Sequence, residues 1–457
     1  MGSTANPHVV FLAFPFGSHA AVLFTVARAL ATDAAPPGTT FSFLSTARSI
    51  ASLPTAQPPA NIRFYAVGDG LPEGAEAPPT NIEEQIEMFM GAAPENLRVG
   101  VEAAVVGSGG AVVSCVVSDA FLWVAAEVAA KAGVLWIPVW TAAAMALYAH
   151  LHTDLLRREI GVGQEAIPAR ADDLLHFIPG LSAVRVRDLP EGIVSGDHEG
   201  RFSLLLHRMA QQLPRAAAVA TNTFDGVDPL IDADLPAKLP NPLSIGPLHL
   251  LAPRPAVPDH YHCLSWLDRH AAATVVYVSF GTVASAPPGE LAELADGLEA
   301  SGVPFLWSLK EAARELLPPG FLDRTKERGL VVSWAPQVEV LGHAAVGAFV
   351  THAGWLSVLE GITSGVVMVC RPFFGDHMMV ARAVSHVWRV GMAFEGGAVT
   401  KEGLMNALEV VLKGDEGKRM RKRVGELKAV AVQAFEPGGS SKENFYKLLK
   451  IITTKML

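Results

Sequence analysis

His19 and Asp119 are the first residues in this chain whose types and positions could do chemistry together. His19 follows the apolar run HVVFLAFPF and opens a helix-like stretch, HAAVLFTVARAL; Asp119 closes the run CVVSD. If both runs are parallel strands of one sheet, their carboxyl ends face the same crevice and the two side chains can meet. A carboxylate that keeps one imidazole nitrogen protonated leaves the other free to take a proton from a substrate, and it stabilises the imidazolium that forms. On position alone, a helix-capping histidine and a surface aspartate also fit.

A second concentration of chemistry is a block of 44 residues from Trp334 to His377, WAPQVEVLGHAAVGAFVTHAGWLSVLEGITSGVVMVCRPFFGDH. An exposed indole suits stacking on a nucleobase. The start of the helix-like WLSVLE offers backbone N–H groups to an anion. The block opens on WAPQ, carries THxGW and SxLE in its middle and closes on an aspartate, and in this it resembles the donor-binding signature of the plant family 1 UDP-dependent glycosyltransferases. The segments FPFGSHA, VVSDAF, PVWTAAA, RVRDLPEGIVSGD, YVSFGTV and LPPGFLDR extend the resemblance along the chain, and several are similar to the flavonoid and anthocyanidin 3-O-glycosyltransferase branch.

The resemblance implies a GT-B fold, two Rossmann-like domains facing each other across a cleft, and inverting, metal-independent transfer of a hexose from a UDP-sugar to a flavonoid hydroxyl. The 3-hydroxyl of a flavonol or anthocyanidin is the expected acceptor, and glucose is favoured over galactose. His19 would be the base and Asp119 its partner, with Asp119→Asn costing less than loss of the imidazole. Trp334 would stack on uracil, Ala335 and Gln337 would meet the base edge, and Glu360 would accept from both ribose hydroxyls. His352, Ser357, Thr282 and Ser18 would serve the diphosphate. Asp376 and His377 would hold the sugar, with Thr141 and Trp355 completing its pocket. Phe16, Phe121, Phe202 and Phe374 would wall a flat acceptor, with Glu83 and His150 as polar contacts. Four residues depart from the family pattern: Leu356 for Asn, Val367 for Pro, Val380 for Asn and His377 for Gln. The first three are expected to weaken or reshape donor binding; His377 puts the identity of the sugar in question. A protein of this fold that binds a phenolic ligand or nucleotide with little turnover is the alternative.

Other chemistries lack their motifs. The turn FPFGSHAA has a single glycine where a nicotinamide fingerprint needs GxGxxG. Neither a P-loop nor a GxSxG elbow is present. Asp232 and Asp234 form a DxD, a pattern that can hold a metal on a nucleotide-sugar diphosphate. It lies away from any strand end and reads as a solvated pair, so no metal and no cofactor beyond the UDP-sugar co-substrate is expected.

Such residues need a scaffold, and its rhythm is visible. Short apolar runs (TFSFLST, VLWIPVW, TVVYVSF, PFLWSL, GLVVSW, GAFVTH, VVMVCRP) alternate with helix-like stretches. That alternation means parallel sheets covered on both faces. VLWIPVW runs into an alanine-rich helix whose pattern opens at Thr141, which removes the one stretch near membrane-span length, Val134–Leu151. The rhythm lapses over 236–262, a segment with seven prolines. The expected layout is therefore an acceptor-binding domain over 1–250, a linker over 251–262, a UDP-sugar-binding domain over 263–440, and a helix over 441–457 packing back on the first domain.

Composition excludes a disordered chain. The chain has 457 residues, 50% of them hydrophobic, ample for more than one core. A net charge of −9 argues against a nucleic-acid partner. Three scattered cysteines indicate a reducing compartment. MGSTANPHVVFLAFPF lacks the basic start of a signal peptide. A cytoplasmic monomer without membrane attachment is expected.

Overall fold

The computed structural model describes residues 6–33, 35–53, 58–72, 78–163, 166–251, 258–394 and 396–454. The chain divides into two compact units: 1–170, 191–253 and 434–457 form the first, 171–190 and 254–433 the second. Residues 171–190, expected in the N-terminal domain, group with the second unit. Their local hold is there: Asp188 forms a two-pronged ion pair with Arg185 (2.8 and 2.9 Å), and the Arg382 guanidinium donates to the Ala183 carbonyl (2.8 Å). Of the expected linker, 252–257 lie outside the described residues.

The first unit is built on seven strands: β1 (His8–Leu12), β2 (Thr40–Thr46), β3 (Ile62–Val67), β4 (Val113–Asp119), β5 (Leu135–Trp140), β6 (Val219–Thr221) and β7 (Pro242–Ser244). Their order is β3-β2-β1-β4-β5-β6-β7, all parallel. The strands are apolar because helices cover both faces; Phe11, Phe43 and Val117 have no exposed surface. Burying each such phenylalanine ring stabilises the fold by roughly 2 kcal/mol. The chain reverses its winding between β1 and β4, the place where a doubly wound sheet opens a crevice. The C-terminal helix Ser440–Thr453 belongs to this unit: Ser441 Oγ donates to the Gly246 carbonyl (2.7 Å) and Asn444 Nδ2 to the Ser244 carbonyl (3.1 Å).

The second unit has six strands: β8 (Val275–Ser279), β9 (Phe305–Ser308), β10 (Gly329–Val332), β11 (Val346–Thr351), β12 (Val367–Cys370) and β13 (Gly391–Ala393). Their order is β10-β9-β8-β11-β12-β13, again parallel, with the reversal between β8 and β11. Each unit is a Rossmann-like α/β layer structure. Among the described residues no helix is long and apolar enough to cross a membrane.

Candidate active site

The switch point of the first sheet carries the histidine. His19 starts the helix His19–Asp33 just past β1, and Asp119 is the last residue of β4. The two meet: His19 Nδ1 lies 2.8 Å from Asp119 Oδ2. Asp119 is fully buried, and its other oxygen, Oδ1, accepts from the Phe121 backbone N–H (2.9 Å). Thr141 Oγ1 is 3.1 Å from the same His19 nitrogen. With Nδ1 protonated and shared between two oxygens, Nε2 keeps its lone pair. The imidazole is walled by rings, Phe121 at 4.6 Å and Phe14 at 5.3 Å, and Phe14 in turn meets Phe16 at 5.1 Å. An imidazole so held can take a proton from an aromatic hydroxyl.

Thr141 was expected in the sugar pocket and at the start of a helix. It does not start the helix, which begins at Ala144; Thr141 stays in the loop after β5 with its hydroxyl on His19. Ser18 immediately precedes His19 and is exposed. Phe202 stands 6.1 Å from Phe121 and lines, with Glu83, Trp123 and Arg208, a cavity of about 360 Å³. His150 does not line it. That ring is buried 6.1 Å from Trp140 and borders a different cavity with His207 and Asp154; burial lowers its pKa to about 4. Trp140 in turn packs on Phe121, with ring centroids 5.6 Å apart.

The DxD is not a solvated pair. Asp232 and Asp234 sit in the helix Pro229–Lys238, two positions apart and so on different sides. Asp232 accepts from the Gly226 N–H (2.8 Å), and burial raises its carboxyl to about 6. Asp234 accepts from the Tyr148 hydroxyl (2.7 Å). Among the described residues no group of three or more His, Cys, Asp or Glu could hold a metal.

In the second unit the 44-residue block begins just past β10 and contains β11 and β12. Trp334 is 41% exposed, with its indole open for stacking, while Ala335 beside it is buried. Gln337 is the first residue of the helix Gln337–Leu341. Its amide NH₂ donates to Ser357 Oγ (2.9 Å) and Glu360 Oε2 (2.7 Å), and its Oε1 accepts from the Tyr277 hydroxyl (3.2 Å). These bonds link Gln337 to Glu360 and Ser357, which both ride on the helix Trp355–Ser364.

His352 follows β11 in a turn whose next residue, Ala353, has φ +63°, a left-handed conformation uncommon without glycine. The ring lies in a slot between Gly281 (φ +71°) and Gly354; a Cβ at either position would strike it. This accounts for the glycines of SFGTV and THAGW. Burial lowers the His352 pKa to about 4. His377 packs edge to face on it, ring centroids 5.0 Å apart, with Phe374 at 4.7 Å on His377. Burial first, then His352, lowers the His377 pKa to about 3. The Nδ1 atoms of both rings are buried without a hydrogen-bond partner among the described residues. Thr282 is exposed beside Gly281, and Asp376 is half-buried at the start of the helix His377–Arg382. Trp355 is buried, 6.2 Å from Trp388.

Two departures prove to be core positions. Val367 and Val380 have no exposed surface; Val367 is the first residue of β12, in register with Ala348 of β11, and Val380 lies inside the helix His377–Arg382. Leu356 is half-buried and brings no polar group to the first turn of its helix. Sequence reasoning missed Phe14, Tyr277, Glu290 and Arg371. Tyr277 and Phe14 were hidden in runs that read simply as strand.

Two parallel Rossmann-like sheets, the first with His19 and Asp119 paired at its reversal and the second with the Trp334–His377 block beside its own, are those of a glycosyltransferase of the GT-B class. The sequence matches the family described as UDP-glucoronosyl and UDP-glucosyl transferase over residues 22–428, and the chain belongs to that family. It is 54% identical over 455 residues to a myricetin 3-O-rhamnosyltransferase of Crocosmia x crocosmiiflora, covering 99% of both chains. It is also 54% identical over 467 residues to an anthocyanidin 3-O-glucosyltransferase of Zea mays, covering 98% of both. Among solved structures, a UDP-glucose: anthocyanidin 3-O-glucosyltransferase in complex with UDP superposes with a TM-score of 0.91 at 40% identity, covering 98% of this chain and 99% of that one.

Proposed function

We propose that this chain transfers a hexose, glucose in the first place, from a UDP-sugar to the 3-hydroxyl of a flavonol or anthocyanidin, with inversion and without a metal. The observation that carries the reading is the His19 ring, held on one nitrogen by Asp119 and Thr141 and faced by phenylalanines. Nε2 takes the acceptor's hydroxyl proton, and the oxygen attacks the anomeric carbon from the face opposite UDP. The bond from that carbon to the diphosphate breaks, and UDP leaves with the electron pair. Asp119 stabilises the imidazolium. Glu360 serves the ribose, Trp334 the uracil, and His352, Ser357, Thr282 and the first turn of Trp355–Ser364 the diphosphate, where their donors stabilise the charge that develops. Ser18 adds a hydroxyl beside the base, and Asp376 and His377 meet the sugar.

The two relatives at 54% identity are named for rhamnosyl and for glucosyl transfer, and glucose is the sugar proposed for this chain. The acceptor class draws support from the names of both relatives and from the aromatic walls around His19. The enzyme acts as a cytoplasmic monomer in this proposal.

The test is UDP release and product mass with quercetin, kaempferol or cyanidin against UDP-glucose, UDP-galactose and UDP-xylose, with and without EDTA. A hexosylated flavonoid formed in EDTA is expected. Binding of flavonol and UDP without turnover would instead make this a binding protein, a reading that Leu356 and Val380 motivate.

A further inference from the structure

Glu290 and Arg371 form a buried, two-pronged ion pair in the second unit, their side chains 8% and 13% exposed. Arg371 Nε donates to Glu290 Oε1 (2.6 Å), and Nη2 donates to Oε2. Nη1 donates to the Pro372 carbonyl (2.6 Å), and the Arg371 backbone N–H to the Thr351 carbonyl (2.8 Å). Glu290 Oε1 also accepts from the Val399 N–H (2.8 Å). The guanidinium lies 3.7 Å over the Phe373 ring, and Phe373 meets Phe280 edge to face at 5.3 Å. Phe280 directly precedes Gly281 and Thr282; Phe373 directly precedes Phe374 and the Gly375-Asp376-His377 turn.

Desolvation offsets much of what a buried charge pair gains in attraction, so its geometry is better read as fixing position than as adding stability. We propose that Glu290 and Arg371 are positioning residues for the donor sugar: through Phe373 and Phe280 they hold the 280–282 and 372–377 loops in register, so that the groups for the diphosphate and those for the sugar are set together. The inference rests on the donor site proposed above. Every guanidinium nitrogen is engaged, so Arg371 has one orientation, and with it Phe373 has one face to offer. Lysine would keep the charge but could not form the fork or lie flat on the ring.

The experiment compares Arg371→Lys, Glu290→Gln and Phe373→Leu with the parent. UDP affinity is read by calorimetry; KM for UDP-glucose, KM for quercetin and kcat are read separately. Loops displaced by a fraction of an ångström to 1 Å should raise the UDP-glucose KM about tenfold or more in Arg371→Lys and Phe373→Leu, leaving quercetin KM within about twofold. UDP alone, which lacks the sugar, should lose less than UDP-glucose does. A purely structural pair would lower kcat through a smaller folded fraction and leave both KM values as they were; that result overturns the proposal, as does an unchanged UDP-glucose KM. If the ion-pair variants fail to fold, Phe373→Leu decides, because it leaves the pair intact. A parent that does not bind UDP at all would sink the donor site itself and this inference with it. A parent that binds UDP with variants that match it would sink the inference alone.

Discussion

Thr141 places its hydroxyl oxygen 3.1 Å from Nδ1 of His19, the nitrogen that Asp119 already engages at 2.8 Å. Two oxygens on one ring nitrogen fix both the tautomer and the tilt of the imidazole, and they leave Nε2 as its basic site. Asp119 is itself fixed, because its Oδ1 is occupied by the Phe121 N–H.

That geometry revises the rank order of the dyad variants. His19→Ala should lower kcat by at least ~10²-fold with UDP affinity unchanged. Asp119→Asn should be about as damaging, not milder. The amide oxygen must stay on the Phe121 N–H, so the NH₂ turns to His19, demands an unprotonated Nδ1 and puts the proton on Nε2. Asp119→Ala, which imposes no tautomer, should retain more activity than Asp119→Asn. Turnover of the three variants under saturating substrates checks the order, and a milder Asp119→Asn would refute the tautomer argument.

Thr141→Val removes one hydrogen bond worth about 1 kcal/mol, so kcat should fall roughly fivefold. KM for the UDP-sugar should hold, and Thr141→Ser should restore the rate. A raised donor KM with normal kcat would return Thr141 to the sugar pocket.

Acid should unsettle the fold through neutral imidazoles. Burial lowers the pKa of His150 and His352 to about 4 and of His377 to about 3, from an ordinary 6.5. Below pH 6.5 the unfolded chain binds protons that the folded chain refuses, so stability falls as pH falls toward these values. Each ring steepens the slope by at most about 1.4 kcal/mol per pH unit. His377→Gln should therefore flatten the dependence of Tm on pH between 6.5 and 4. Parallel curves for variant and parent would show that His377 is not held neutral.

For the donor, Leu356→Asn adds a polar group near the first turn of Trp355–Ser364 and should improve kcat/KM for UDP-glucose and UDP-galactose alike. His377→Gln should alter their ratio in favour of glucose, because a lost hydroxyl partner costs ~1–3 kcal/mol. The opposite pattern, Leu356 shifting the ratio and His377 not, would exchange the two assignments.

What could be read in the chain follows from burial. Central strands such as HVVFL and VGAFVT are sealed on both faces and show as unbroken apolar runs. The edge strand IRFYAV, with Arg63 and Ala66 exposed, carries no such mark. The long helix Ile82–Gly107 contains Pro94, which on paper ends a helix. At the sites, residue identities were legible because a fixed motif carries them. Partnerships were not: Gln337 finds Ser357 and Glu360 at separations of 20 and 23, and Arg371 finds Glu290 at 81. Side-chain hydrogen bonds across such distances leave no periodic trace.

The first unit contains the last helix of the chain, Ser440–Thr453, held to Ser244 and Gly246 beside β7 and reached by Ser114 Oγ, which donates to the Ile452 carbonyl (3.3 Å). A ribosome therefore delivers the unit that carries His19 unfinished. Its sheet waits, with that flank uncovered, through the synthesis of the whole second unit, and closes only when residues 440–453 emerge. A chain stopped ahead of residue 440 would then be damaged in the unit that carries His19 rather than in the one that carries Trp334, and cutting the chain near residue 260 would not yield two self-sufficient proteins.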